Sequence, residues 1–136
     1  MNYLSKRDIK FINKEMTLRF GGLFISANDN VKNENSLNYL VDAVKVSDYG
    51  QELYETVFEK AAAYLFYIIK DHIFHDGNKR TGIESAFLFL EKNGFSIKED
   101  LEPLEIVEVA EKVASGEFQL PEIAVWLQKN SIKKNQ

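Results

Sequence analysis

Apolar residues recur along the chain at intervals of three and four, the period of helices with one buried face. Ser5 followed by Asp8 resembles a capping box with Asp in place of Glu, and Ile9, Ile12, Met16 and Phe20 continue at helical spacing up to Gly21-Gly22. Residues 24–35, rich in Asn, Asp and Ser, read as a loop. A short helix is predicted from about Ser36, with Leu37, Leu40, Val41 and Val44 on one face, followed by a connection over 45–51 closed by Gly50. The strongest helical signal runs from about Glu52 to Asp71, where Tyr54, Phe58, Ala61, Leu65, Ile68 and His72 form a stripe. Val57, Ala62 and Ile69 widen that stripe, so this helix is expected at the centre of the core.

After a short polar loop, His75-Asp76-Gly77-Asn78, a further helix is predicted to Lys92, with Ile83, Ala86, Phe87 and Leu90 inward and Asn93-Gly94 as its stop. Phe95-Ser96-Ile97 reads as extended. Pro103 suits the first turn of a helix to about Ala114, broken by Gly116, and Pro121 opens a last helix with Ile123, Trp126 and Leu127 inward. The expected fold is all-α, a bundle of about six helices over residues 1–130, with a polar tail at 131–136 that frays. Periodicity explains Phe58, Phe66, Phe87, Phe89 and Trp126 as core residues.

Composition narrows the classes of function. The chain has 136 residues, 45% of them hydrophobic, which suits a single domain with its own core. A net charge of −4 argues against an extended nucleic-acid partner. With no cysteine and two histidines, thiol chemistry, cysteine-ligated metals and His-rich metal sites are excluded. The longest apolar run, Ala61 to Ile69, falls far short of the roughly 20 residues that span a bilayer, and residues 1–10 show no signal-peptide core. The expectation is a cytoplasmic protein with no membrane partner.

The stretch His72-Ile73-Phe74-His75-Asp76-Gly77-Asn78-Lys79-Arg80-Thr81 is not explained by packing. Lys79 and Arg80 stand at a helix N-terminus, the positive end of its dipole. Free N–H groups of the first turn, the dipole and the two cations could together receive an anion such as a phosphate. Gly77 would let the backbone approach closely with a positive φ. Asp76 beside a phosphate suits a magnesium ligand, and His72, one turn away, could act as general base. Phe74 would anchor the loop in the core.

Each residue also has a plainer reading. His72 alone reads as a structural histidine at a helix C-terminus, Asp76-Gly77 as a turn, and Lys79-Arg80 as a solvated pair. Those readings together require several coincidences within ten residues. Two other chemistries fail on counting. The spacing of His72, His75 and Asp76 loses its metal-face meaning in a turn, and no separate upstream histidine exists for a His-Asp phosphohydrolase.

The segment from His72 to Thr81 resembles the signature of the Fic/Doc superfamily, and Lys79 places it nearer the Doc (death-on-curing) toxin branch than the AMP-transferring Fic branch, where a second glycine usually stands. Arg19-Phe20-Gly21-Gly22-Leu23, Ala61 to Leu65, Ala86 to Gly94 and Gly116-Glu117 extend the resemblance, which is weakest over Phe24 to Asn35. It implies His72 as catalytic base, Asp76 as the Mg2+ ligand, and Gly77, Asn78, Lys79 and Arg80 as a phosphate cradle for ATP. It also implies a flap at 45–51 that docks the target's backbone as an added strand.

In the Doc branch the γ-phosphate of ATP passes to a threonine of elongation factor Tu, arresting translation. Transfer of AMP to a protein hydroxyl is the alternative enzyme, and a non-catalytic binding module the alternative outside catalysis. The family leaves the His75 position variable, so His75 is read as a loop residue without catalytic role. The internal inhibitory pattern Ser/Thr-x-x-x-Glu-Gly/Asn is not found, so a cognate antitoxin is expected, a disordered tail that folds as a helix in a groove near the site.

Overall fold

A computed structural model describes residues 1–48 and 51–135. Among them are six α-helices, α1 (Lys6–Phe20), α2 (Glu34–Ala43), α3 (Val57–Lys70), α4 (Asn78–Lys92), α5 (Pro103–Ser115) and α6 (Leu120–Lys129). A 3-10 turn, Ser26–Asn28, sits in the loop before α2. Two small antiparallel ribbons complete the fold, β1 (Ser47–Asp48) with β2 (Gln51–Glu52) and β3 (Phe95–Ile97) with β4 (Ser131–Lys133). The mostly helical architecture agrees with the sequence.

Local chemistry sets the helix ends. Ser5 and Asp8 form the expected reciprocal capping box on α1, with Asp8 N–H to Ser5 Oγ at 3.1 Å and Ser5 N–H to Asp8 Oδ2 at 2.8 Å. The helix α2 starts two residues before Ser36, because Asn33 caps it by accepting from Ser36 N–H. The helix α3 starts five residues later than its apolar stripe suggested. Gln51 and Glu52 are taken by β2, and Thr56 caps the helix through Glu59 N–H at 3.0 Å. Tyr54 is still buried, and its hydroxyl meets that of Tyr67 at 2.9 Å. The burial of Tyr67 pushes its phenol up to about 12.

The helix α3 is central as expected. Ala61 to Leu65, Ile68 and Ile69 are buried, and α3 packs mainly on α4 and α6. Phe89 is fully buried, while Phe58, Phe66, Phe87 and Trp126 are half-buried against the core. Tyr64 ties the N-terminal segment to this core by accepting Leu4 N–H at 3.1 Å, and burial raises its phenol's affinity for its proton.

Two expectations are corrected. Phe20 lies on the stripe of α1 yet is exposed, because it meets Arg80 instead of the core. The tail does not fray at once after Asn130. Residues 131–133 pair with β3, placing Ser96 opposite Ile132, and flanking bonds join Lys98 N–H to Asn130 O and Lys134 N–H to Gly94 O, each 2.9 Å. A strand at 95–97 needs a partner for its backbone groups, and the tail supplies it. Within the connection at 45–51, Ser47–Asp48 pairs antiparallel with Gln51–Glu52, while Gly50 lies outside the described residues.

Candidate active site

The site is built where α3 hands over to α4. The helix α3 ends with a Schellman motif: His72 N–H donates to Ile69 O at 3.3 Å and Ile73 N–H to Ile68 O at 3.4 Å. The residue at the left-handed position of this motif is usually glycine. Here it is His72, with φ 46. A left-handed L-residue costs roughly 1 kcal/mol, so the backbone gives up stability to seat a histidine at this corner. His72 therefore stands two residues beyond the helix and is exposed, rather than extending the apolar stripe as the spacing suggested.

The chain then dives inward. Ile73 and Phe74 are fully buried, which makes Phe74 the expected anchor. Phe74 is gripped by Asn78, whose Oδ1 accepts Phe74 N–H at 2.9 Å and whose Nδ2 donates to Phe74 O at 2.8 Å. The Asn78 side chain thus shapes the loop and is spent on the backbone. Its main-chain N–H stands in the first turn of α4, where a phosphate cradle would use it.

Asp76 is exposed, and its carboxylate accepts Leu23 N–H at 2.9 Å and Gly77 N–H at 2.8 Å. These two bonds, with a smaller contribution from the Arg80 charge, hold its carboxyl below the ordinary value of 3.8. It is therefore ionised at neutral pH, with lone pairs left for a cation. A single carboxylate fits a magnesium ion that completes its shell with phosphate oxygens and water. Gly22 accommodates this contact closely, since a Cβ there would come within 2.9 Å of Asp76 Oδ2.

Gly77 takes φ 78, as its position predicted, and opens α4. A Cβ on it would press on Thr17 Cγ2 at 3.1 Å and Asn13 Nδ2 at 3.2 Å. The first N–H of this turn to bond back is that of Thr81, to Gly77 O at 2.9 Å. The N–H groups of Asn78, Lys79 and Arg80 belong to the orphan donors of a helix start.

The two cations already have company. Lys79 Nζ meets Glu111 Oε1 of α5 at 2.6 Å. The Arg80 guanidinium lies 4.5 Å from the centre of the Phe20 ring, a cation–π contact. Their place at a helix N-terminus is thus partly compensated within the protein.

Beneath the loop lies a polar network that the sequence reading missed. Asn13 and Asn30 are fully buried. Asn13 Nδ2 donates to Asp76 O at 2.8 Å and to Thr81 Oγ1 at 3.1 Å, and its Oδ1 accepts Asn30 Nδ2 at 3.0 Å. The segment before α2 is laced to the site as well. His75 N–H donates to Asn30 O at 2.9 Å, Lys32 N–H to Ile73 O at 2.8 Å, and Val31 bridges Phe74. The available signal was an asparagine beside the apolar stripe of α1, between Ile12 and Met16.

His72, Asp76, Gly77, Asn78, Lys79 and Arg80 all line one open cleft of about 330 Å³, with His75, Ile69 and Ala114 completing its walls. A separate apolar groove of about 430 Å³ runs beside it between α1, α4 and α5, with Lys79 and Arg80 on the shared border. Among the described residues, no group of three or more His, Asp or Glu side chains could hold a metal by itself, and no helix is long and apolar enough to cross a membrane.

A model of the Fic/DOC family matches residues 3–90, well over half the chain and all of the loop that forms this cleft. The chain belongs to the Fic/Doc family. Curated relatives within it include "Toxin Doc" of Mycolicibacterium smegmatis, 28% identical over 118 residues that cover 87% of this chain and 91% of the relative. "Protein kinase doc" of Escherichia phage P1 is 26% identical over 129 residues, covering 95% of each chain. The similarity therefore extends past the region matched by the family model into α5 and α6 of this Fic/Doc protein.

Proposed function

We propose that this Fic/Doc protein is a Doc-type toxin that transfers the γ-phosphate of ATP to a threonine hydroxyl of elongation factor Tu. The observation that carries the reading is the convergence of an exposed histidine, an ionised aspartate and a helix N-terminus in one cleft. The names of the two relatives, a toxin and a protein kinase, support it.

In this mechanism the N–H groups opening α4, the Lys79 ammonium and the Arg80 guanidinium receive the polyphosphate. Asp76 would hold Mg2+ together with phosphate oxygens, and the ion would neutralise charge on the transferring group. His72 accepts the proton of the threonine hydroxyl as its oxygen forms the new bond to phosphorus and ADP departs. The segment 45–51, which carries β1, is proposed as the flap that pairs with the target's backbone as an added strand.

AMP transfer stands as the second reading because of where Lys79 is held. A lysine filling the cleft would oppose the nucleotide pose that presents the α-phosphate, yet Lys79 is held by Glu111 on α5. The partner in control is proposed to be a cognate antitoxin whose tail folds as an amphipathic helix in the groove between α1, α4 and α5, where Phe20 and Val107 expose apolar surface.

Incubation with Mg2+, elongation factor Tu and either γ- or α-labelled ATP tests the reading. Label is expected from the γ position alone and is abolished by His72→Ala. Transfer of the α label establishes the second reading, and γ transfer that survives His72→Ala overturns the mechanism.

A further inference from the structure

We propose that Glu111 is a positioning residue that competes with the nucleotide's phosphates for the Lys79 ammonium, and so sets how tightly the cleft holds a polyphosphate. The inference rests on the reading of the cleft as an ATP site, and adds to it a residue outside the signature loop and beyond the region matched by the family model. Lys79 Nζ and Glu111 Oε1 stand 2.6 Å apart, with side chains 47% and 60% exposed. A pair this open to water contributes little to stability, so its effect is to be sought in where it holds the lysine.

Lys79 lines both the cleft and the groove, whereas Glu111 lines the groove alone. The cleft wall on α5 is Ala114, one helical turn from Glu111. The ammonium therefore needs only a change of rotamer to pass from Glu111 to an anion in the cleft. An exposed carboxylate is an easily displaced partner, and several phosphate oxygens backed by helix N–H groups outcompete it. While paired, Glu111 lowers the positive potential that the cleft presents.

Titration calorimetry with ATP and Mg2+ on the full chain tests this without requiring turnover. Glu111→Gln keeps the side-chain shape and is expected to tighten ATP binding about fivefold at low salt. The gain should fade as salt rises. Glu111→Asp, which keeps the charge, should bind closer to the unchanged chain. In a Lys79→Met background Glu111→Gln should have no effect, because the lysine through which Glu111 acts is gone. Unchanged affinity in Glu111→Gln overturns the inference and leaves the ATP site standing. An equal gain with and without Lys79 shows a general field effect and overturns the positioning role. Failure of the unchanged chain to bind ATP overturns both readings.

Discussion

Asn78 and Phe74 close a ring in which the asparagine amide satisfies both the N–H and the C=O of the phenylalanine, at 2.9 and 2.8 Å. The ring fixes the loop between its buried anchor and the first residue of α4, so the geometry of the cleft depends on a side chain that need not touch the nucleotide. Asn78→Ala leaves both groups of Phe74 without this partner and is expected to cost about 1–2 kcal/mol in urea unfolding. The looser loop should lower the transfer rate about a hundredfold. Asn78→Asp keeps the acceptor but turns a second oxygen toward the Phe74 carbonyl, so it should not restore the rate.

His72 occupies the left-handed position of a Schellman motif at φ 46. His72→Gly is therefore expected to abolish transfer while raising stability by up to about 1 kcal/mol, a separation of activity from folding that denaturant titration reads directly. His72→Ala should be equally inactive without that gain, since alanine carries the same Cβ strain.

The Asp76 carboxyl is held below its ordinary value of 3.8, chiefly by the N–H groups of Leu23 and Gly77. The sign follows from linkage. A depressed folded-state value means that the stabilisation is complete above the ordinary range and is lost as pH falls through the depressed value. The stability difference between the unchanged chain and Asp76→Asn should be constant from pH 7 to about 5 and shrink below about 4. Unfolding midpoints measured across that range check it.

Asn13 supports the loop from below through Asp76 O, Thr81 Oγ1 and Asn30. Asn13→Leu is close in volume but strands these buried groups, and is expected to destabilise the fold by about 2 kcal/mol or more. Hydrogen exchange should quicken at His75 and Lys32, whose N–H groups tie the 25–33 segment to the loop.

The helices were legible because each buries one face and carries its own end signals, as with Ser5 and Asp8 at α1 or Pro103 at α5. Starts were misplaced where a short strand or a cap overrode periodicity, as Thr56 does for α3. The β4 pairing was hidden because its residues gain structure only from a distant strand. All six expected site residues share one cleft because they are adjacent in sequence around a glycine turn. Their individual contacts were not legible. Lys79 reaching to Glu111 and Asn13 rising from α1 to the loop are tertiary relationships, and Asn78 reaching back four residues to Phe74 depends on the turn at Gly77.

The most direct test of the central claim is mass spectrometry of modified proteins after induced expression of the chain, with His72→Ala expressed in parallel. The account predicts one added phosphoryl group on a threonine of elongation factor Tu, absent with the variant. An adenylyl group in its place, or the same phosphoryl group with His72→Ala, would contradict it.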